Sequence, residues 1–153
     1  MNKKINFYNG RSALSYGLDI LNVKRGNEIL IPEVICDVVV KILLKKRFKV
    51  RYYQLDKYFN PIWEDIYNKK YKDLSAIILV HFFGYPQNIK EFIKFANYKK
   101  IYLIEDNCHS LPIKYKNKKL GSFGHIGIDS PRKIFSQLYS GGRLFININK
   151  KIQ

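Results

Sequence analysis

Two segments of the chain carry side chains that could do chemistry together. The first is an apolar run, typical of a buried strand, that ends in Asp106 and is followed three residues later by His109. The second has the sequence Ser-Pro-Arg-Lys from Ser130 to Lys133, and a pair of glycines follows it. A lysine amine can bond to pyridoxal phosphate, and a carboxylate can keep the pyridine nitrogen of that cofactor protonated. The two segments therefore predict a pyridoxal-phosphate site.

Apolar and amphipathic segments alternate along the chain and predict the elements that position these residues. The hydrophobic periodicity predicts helices over 12–22, 34–46, 60–70 and 88–98, and strands over 28–31, 49–55, 74–82, 101–105, 113–115, 124–129 and 143–148. The segment 34–46 contains three consecutive valines that also suit a strand. Apolar strands alternating with helices predict an α/β fold, a three-layer α/β/α sandwich with a mostly parallel sheet. Ligands gather at the carboxyl ends of such strands, where Asp106 and His81 lie.

The charge of the chain invites a nucleic-acid interpretation, which the sequence alone does not favour. The formal net charge is +16, but the lysines are spread over the whole chain as short pairs at the ends of apolar segments. Lys, Asn, Ile, Tyr and Phe are abundant together, and all have A/T-rich codons, so genome composition is the simpler explanation. We expect no specific nucleic-acid partner, although such a charge favours non-specific polyanion binding at low salt.

Several other features limit the function classes. No apolar run is long enough to span a membrane and no signal-peptide core follows the start, so we expect a soluble cytoplasmic protein with no membrane partner. Cys36 and Cys108 lie far apart, which predicts neither a metal site nor a disulfide. His81 is expected either to shape a strand end for function or to be only structural, and His125 is expected at the surface.

Six short motifs resemble those of the DegT/DnrJ-type sugar aminotransferases, pyridoxal-phosphate enzymes of the aspartate-aminotransferase fold. They are Asn9 to Leu14, Gly26 to Pro32, Val80 to Pro86, Ile104 to His109, Lys119 to Gly124 and Ser130 to Lys133. Each motif alone is weak, but six in the family's order at compatible spacing are a strong signal. The resemblance covers nearly the whole chain and implies the large domain of that fold, with pyridoxal 5'-phosphate as cofactor.

The resemblance also implies roles for three side chains. Lys133 would bond to the cofactor and then move a proton between the substrate carbon and the cofactor. Asp106 would pair with the pyridine nitrogen. His109 would lie near the phenolic oxygen as a hydrogen-bonding group, since many relatives have glutamine there. Without the resemblance, Lys133 would be a surface lysine, Asp106 a helix N-cap and His109 a core histidine.

By the same resemblance, Gly10, Arg11 and Ser12 would bind the cofactor phosphate at a helix N-terminus, and Ser130 would add a hydroxyl. Ordinary helix capping is compatible with this role. Arg11 stands where relatives usually have Thr or Ser, so the expected hydroxyl contact requires Ser12 to replace it. Cys36 stands where relatives often place an aromatic ring that stacks on the cofactor, and we expect it to be a small buried residue.

The chain has 153 residues, and family members are typically more than twice as long. We therefore expect residues 1–153 to form a partial large domain with no second domain, lacking the C-terminal small domain. The resemblance implies amino transfer, with glutamate the expected donor, to a nucleotide-linked keto-sugar in polysaccharide or antibiotic-sugar synthesis, by a homodimer. The alternatives are an inactive remnant with little activity alone and a basic nucleic-acid-binding module. Some relatives are dehydratases with His in place of the lysine, and Lys133 argues against that group.

Overall fold

The computed structural model describes residues 3–110 and 113–148. The helices in these ranges are α1 (Gly10–Ile20), α2 (Asp37–Lys45), α3 (Trp63–Asn68) and α4 (Ile89–Lys99). The strands are β1 (Lys3–Phe7), β2 (Glu28–Pro32), β3 (Lys49–Tyr53), β4 (Leu74–Val80), β5 (Tyr102–Asp106), β6 (Lys114–Tyr115), β7 (Lys118–Lys119), β8 (Ile126–Asp129) and β9 (Gly142–Ile146). No helix in the described ranges has the length and apolar character needed to cross a bilayer.

Seven of these strands form one sheet in the order β1-β9-β8-β5-β4-β2-β3. The neighbours β3, β2, β4, β5 and β8 are mutually parallel, whereas β9 runs antiparallel to both β8 and β1. The strands β6 and β7 form a separate hairpin. The expected mostly parallel α/β sheet is confirmed. The five parallel strands all end at one edge, called here the carboxyl edge, and all begin at the opposite edge, called the amino edge.

Helices cover both faces of the sheet because side chains alternate along each strand. On β4, Ile78 packs in the core beneath α1 and α2, whereas its neighbours Ile77 and Leu79 pack in the core beneath α3 and α4. On β5, Ile104 faces the first core and Leu103 the second. The three-layer sandwich is thus built from strands that are apolar on both faces, which is why they appear in the sequence as continuous apolar runs.

The predicted elements differ from the structure mainly at their ends. The valine-rich segment is a helix, but α2 begins only at Asp37, and Leu43 is its one fully buried residue. The third helix is shorter than predicted, since α3 covers six residues. The strand β1 was not among the predicted strands, because it lies at the end of the sheet with its lysines exposed and lacks the apolar pattern of the central strands.

Candidate active site

A cleft of about 340 Å³ opens at the carboxyl edge, on the face covered by α1 and α2. Its floor is the end of the sheet, where Asp106 lies between Val80 of β4 and Ile128 of β8 in the strand register. All three of these residues line the cleft, together with the start of α1, the segment before α2 and the segment after β8. With Phe59, six separate stretches of sequence therefore meet around one cavity, whose volume suits a small-molecule ligand.

Asp106 is the last residue of β5 and is almost fully buried. One carboxylate oxygen, Oδ1, accepts a hydrogen bond of 2.9 Å from the backbone N–H of Cys108. This bond fixes the side chain at the strand end while Asp106 remains part of the cleft lining. The carboxylate therefore lies where a polar group of a bound ligand can reach it.

Lys133 also lines the cleft, from a single 3-10 turn that follows β8 (Pro131–Lys133). The turn is anchored at Ser130, whose side chain is buried and donates a hydrogen bond of 3.2 Å to the carbonyl of Gly141. The amide of Gly141 in turn donates to the carbonyl of Tyr8 at 2.7 Å. Both ends of the lysine-bearing loop are thus tied to the sheet, whereas Lys133 itself is exposed.

The N-terminus of α1 opens into the cleft. Asn9 caps the helix, because its Oδ1 accepts hydrogen bonds from the N–H and the hydroxyl of Ser12 at 2.9 and 3.0 Å. Gly10 and Arg11 line the cleft, but Ser12 does not. A Cβ on Gly10 would lie 3.1 Å from the sulfur of Cys108, so only glycine leaves this corner open. The amides of the first turn point out of the helix, the one of Ser12 is taken by Asn9, and a helix N-terminus of this kind favours anions.

His109 lies at the mouth of the cleft, against the ring of Phe83, with 6.3 Å between ring centroids and 26° between planes. Partial burial lowers the pKa of His109, the positive charge of Lys133 lowers it further, and Asp106 opposes both. The imidazole is therefore neutral near pH 7 and suited to hydrogen bonding. Since Lys133 and Asp106 both act on His109, their charges lie close enough to influence the same ring.

The two cysteines occupy different environments. Cys36 was expected to be buried, which is wrong: it is exposed and lines the cleft, because it is the residue that precedes α2. Cys108 is buried and also lines the cleft. Burial above all, and then the neighbouring Asp106, raises the pKa of the Cys108 thiol well above its usual value, so this thiol is not activated.

Sequence reasoning missed Glu105, which organises the carboxyl edge from the opposite face of the sheet. Its side chain is fully buried and its two oxygens accept four hydrogen bonds. Oε1 accepts from His81 Nε2 at 2.9 Å and from the amide of Gly121 at 2.5 Å, and Oε2 accepts from the amides of Phe123 and Gly124 at 2.8 and 3.1 Å. Two adjacent acids on a strand were the available signal, since alternation sends them to opposite faces.

His81 and His125 both have structural partners. The Nδ1 atom of His81 accepts a hydrogen bond from the amide of Gln87 at 3.1 Å, so the proton is on Nε2 and is donated to Glu105. The expectation that His125 is a surface residue is wrong. It is half-buried, and its Nδ1 accepts a hydrogen bond from the amide of Leu103 at 2.9 Å. Burial lowers the pKa of His125.

Comparison with known structures defines the class of fold. The E. coli GDP-4-keto-6-deoxy-D-mannose-3-dehydratase with bound hydrated PLP superposes with a TM-score of 0.83 and is 25% identical, over 95% of this chain and 40% of that one. The sheet order and the helices on both faces are those of the large domain of pyridoxal-phosphate-dependent transferases. The architecture predicted from the sequence is therefore confirmed.

The chain belongs to the DegT/DnrJ/EryC1/StrS aminotransferase family, whose model matches residues 1–148. It is 28% identical over 122 residues to GDP-perosamine synthase from Escherichia coli O157:H7, covering 77% of this chain and 33% of the relative. It is 31% identical over 121 residues to GDP-4-keto-6-deoxy-D-mannose 3-dehydratase from Escherichia coli O55:H7, covering 77% and 29%. The chain thus spans about a third of the length of the curated relatives that it matches.

Proposed function

We propose that this chain forms the cofactor-binding part of a pyridoxal-phosphate-dependent sugar aminotransferase. The observation that carries the proposal is that Asp106, at the end of β5, and Lys133, in the turn after β8, line the same cavity at the carboxyl edge. Membership of the aminotransferase family supports the same conclusion.

The residues around the cleft fit pyridoxal 5'-phosphate. The α1 N-terminus at Gly10 and Arg11 offers backbone amides and a cation to the phosphate, and Ser130 lies beside Gly10 as a further hydroxyl. Asp106 offers a carboxylate to the pyridine nitrogen. The hydroxyl of Ser12 donates to the capping side chain of Asn9, and Ser12 does not line the cleft. We therefore assign the phosphate contact to the amides of Gly10 and Arg11, and to Ser130.

When bound, pyridoxal phosphate supplies an electron sink that stabilises negative charge on the substrate carbon next to the transferred nitrogen. Asp106 would hold the ring nitrogen protonated and so maintain that sink. The Nζ atom of Lys133 would hold the cofactor covalently at rest. Once freed, it would carry a proton between the substrate carbon and the cofactor. His109, neutral near pH 7, would hydrogen-bond the phenolic oxygen and orient the ring.

We further propose that the acceptor is a nucleotide-linked keto-sugar and that the donor is an amino acid, with glutamate the expected one. In the overall exchange the amino group passes to the keto carbon of the sugar and the donor leaves as its keto acid. The names of the two Escherichia coli relatives, both acting on GDP-linked sugars, support this class of acceptor. Lys133 at the site favours amino transfer over dehydration.

Three further assignments belong to the same proposal. We place residues 1–153 in a large domain of the family type, acting in the cytoplasm as part of a homodimer. The matched relatives are about three times as long, and we assign most of the substrate pocket to regions equivalent to the rest of their chains. On this proposal the 153-residue chain binds the cofactor weakly and turns over little substrate by itself.

The proposal is tested by titrating the purified chain with pyridoxal phosphate, reducing the complex with borohydride and locating the label by mass spectrometry. We expect one label on Lys133, and Lys133→Ala should weaken cofactor binding by at least about tenfold, or 1.4 kcal/mol. Lys57→Ala is the matched control, since Lys57 is an exposed lysine at the same edge outside the cleft lining. Labelling spread equally over surface lysines would contradict the proposal.

Asp106→Asn provides a second arm of the same experiment. The substitution keeps the shape of the side chain but removes the charge that would keep the ring nitrogen protonated. We expect labelling at Lys133 to persist while the visible spectrum of the bound cofactor changes and any turnover of a keto-sugar nucleotide is lost. An unchanged spectrum would contradict the role given to Asp106.

A further inference from the structure

The basic residues of this chain are scattered in sequence but converge at the amino edge of the sheet. Four adjacent parallel strands, in the order β5-β4-β2-β3, begin at this edge, so the segments that precede them lie side by side. These segments, 24–27, 45–48, 69–73 and 99–101, contain ten basic residues and one acid, Asp73. The ten are Lys24, Arg25, Lys45, Lys46, Arg47, Lys69, Lys70, Lys72, Lys99 and Lys100.

The carboxyl edge has no comparable excess of charge. The segments that follow the five parallel strands, 33–36, 54–58, 81–88, 107–110 and 130–134, contain three basic residues and two acids. The basic ones are Lys57, Arg132 and Lys133, and the acids are Glu33 and Asp56. A bias of genome composition acts on all loops alike, so it does not account for a difference between the two ends of the same strands.

Local structure accounts for only part of the charge at the amino edge. Lys46 pairs with Asp19 and Lys69 with Asp65, each at 2.6 Å. The other eight basic residues form no ion pair with the residues that the structure describes. Cations stabilise the last turn of a helix, but only Lys45 and Lys99 lie in such a turn. Most of this charge is therefore left for a partner.

We propose that the amino edge binds the phosphate backbone of a nucleic acid, without preference for sequence. Strands lie about 4.8 Å apart, so four strands spread the basic groups over about 15 Å. A DNA duplex carries one charge per about 1.7 Å of axis, and about half of the phosphates along 15 Å face one side, which gives about four contacts. Lysine and arginine side chains meet phosphates without reading bases.

An anionic membrane is the competing partner for a basic surface, and the composition of the edge argues against it. Peripheral membrane binding draws on an apolar face inserted beside the charges. Among the described residues, none of the large exposed apolar side chains belongs to the four segments, and the nearest along the chain are Leu44 and Tyr98. These two side chains belong to α2 and α4, which cover opposite faces of the sheet, so the described residues of this edge form no continuous apolar face for insertion.

The test measures binding of the full chain to a short, fluorescein-labelled duplex of mixed sequence by anisotropy over a range of salt. We expect the logarithm of the affinity to fall with the logarithm of salt with a slope of about −4, or −0.9 per phosphate contact. The edge variant combines Lys45→Gln, Arg47→Gln, Lys70→Gln and Lys72→Gln. It should lose at least about tenfold in affinity and at least half of the slope.

The matched control removes the same number of charges from other surfaces, as Lys4→Gln, Lys57→Gln, Lys90→Gln and Lys118→Gln, all exposed residues without an ion pair among the described residues. A loss of less than about threefold in this variant supports the edge as the binding surface. Equal losses in the two variants overturn it, because net charge then explains binding. No binding at low salt also overturns it, as does an edge-dependent affinity for phosphatidylserine vesicles that exceeds that for the duplex. None of these three results depends on the cofactor site, so they leave the proposed function untouched.

Discussion

Replacing Glu105 by Gln tests whether one buried carboxylate holds the carboxyl edge together. The substitution keeps the volume of the side chain but replaces one oxygen by an NH₂ group. In one orientation the NH₂ group faces the amides of Phe123 and Gly124, and in the other it faces Gly121 and the Nε2–H of His81. In either orientation, the NH₂ group, which is a donor, faces two N–H groups that are also donors.

His81 cannot relieve this conflict by changing its tautomer. Its Nδ1 atom already accepts a hydrogen bond from the amide of Gln87, so moving the proton from Nε2 to Nδ1 would only transfer the unpaired donor. Each buried donor left without an acceptor costs about 1–3 kcal/mol. Two such donors, together with the loss of charge-assisted bonds, lead us to expect a loss of about 3–5 kcal/mol in the free energy of unfolding.

The assay is urea unfolding followed by the fluorescence of Trp63, the single tryptophan, which packs 4.8 Å from the ring of Phe92 in the core beneath α3 and α4. With a typical urea dependence of about 2 kcal/mol per molar, the midpoint should fall by about 1.5–2.5 M. Glu33→Gln is the matched control, because Glu33 is exposed and accepts one hydrogen bond, from the amide of Leu55 at 2.8 Å. The amide oxygen of glutamine can accept that bond, so its effect should stay below about 0.5 kcal/mol.

A loss for Glu105→Gln no larger than that for Glu33→Gln would refute this reasoning, since the four observed bonds would then contribute nothing that an amide cannot supply. Asp106→Asn separates stability from function in the same experiment. Asp106 accepts one backbone hydrogen bond, which asparagine can retain, so we expect a change below about 1 kcal/mol.

Three further substitutions probe the elements around the cleft. Gly142→Ala would place a Cβ 2.1 Å from the carbonyl carbon of Asn9, so we expect a loss of about 2–4 kcal/mol in urea unfolding. Asn9→Ala removes the cap of α1 and should cost about 1 kcal/mol in the same assay. His125→Asn should flatten the pH dependence of stability between about pH 7.5 and 5.5, measured by thermal unfolding in a pH series. The pKa of His125 is lowered in the fold, so the unfolded chain binds the proton more tightly and stability falls as the pH drops below about 6.5.

Each of these expectations has its own contrary result, and the first two have matched controls. Gly26→Ala is the comparison for Gly142, because Gly26 has φ +87° but no atom within 4 Å of an added Cβ, and it should cost only about 1 kcal/mol. Equal losses at the two glycines would contradict the clash. Asn6→Ala, on exposed β1, is the control for Asn9, and a similar loss there would argue against capping. An unchanged pH slope in His125→Asn would show that another group causes the pH dependence.

The sequence predicted the order and type of most elements because the signals were local. Continuous apolar runs such as 76–80 mark strands buried on both faces, and the spacing of Ile89, Phe92, Ile93 and Ala96 marks a helix with one buried side. The position of Asp106 at a strand end followed from the same reasoning. The edge strand β1 escaped it, because an exposed strand that begins with two adjacent lysines has no apolar run to detect.

The chain's residue types and order determined by themselves the α/β fold, the family and the candidate lysine and carboxylate. Only the tertiary structure decided which neighbours those groups have. It directed the hydroxyl of Ser12 to the capping side chain of Asn9, exposed Cys36 beside the cleft and buried Glu105 among four donors. It also gathered ten dispersed basic residues at one edge. The physical reason is that strand order in the sheet differs from strand order in the chain, and side chains alternate between faces, so proximity depends on pairing that no local pattern contains.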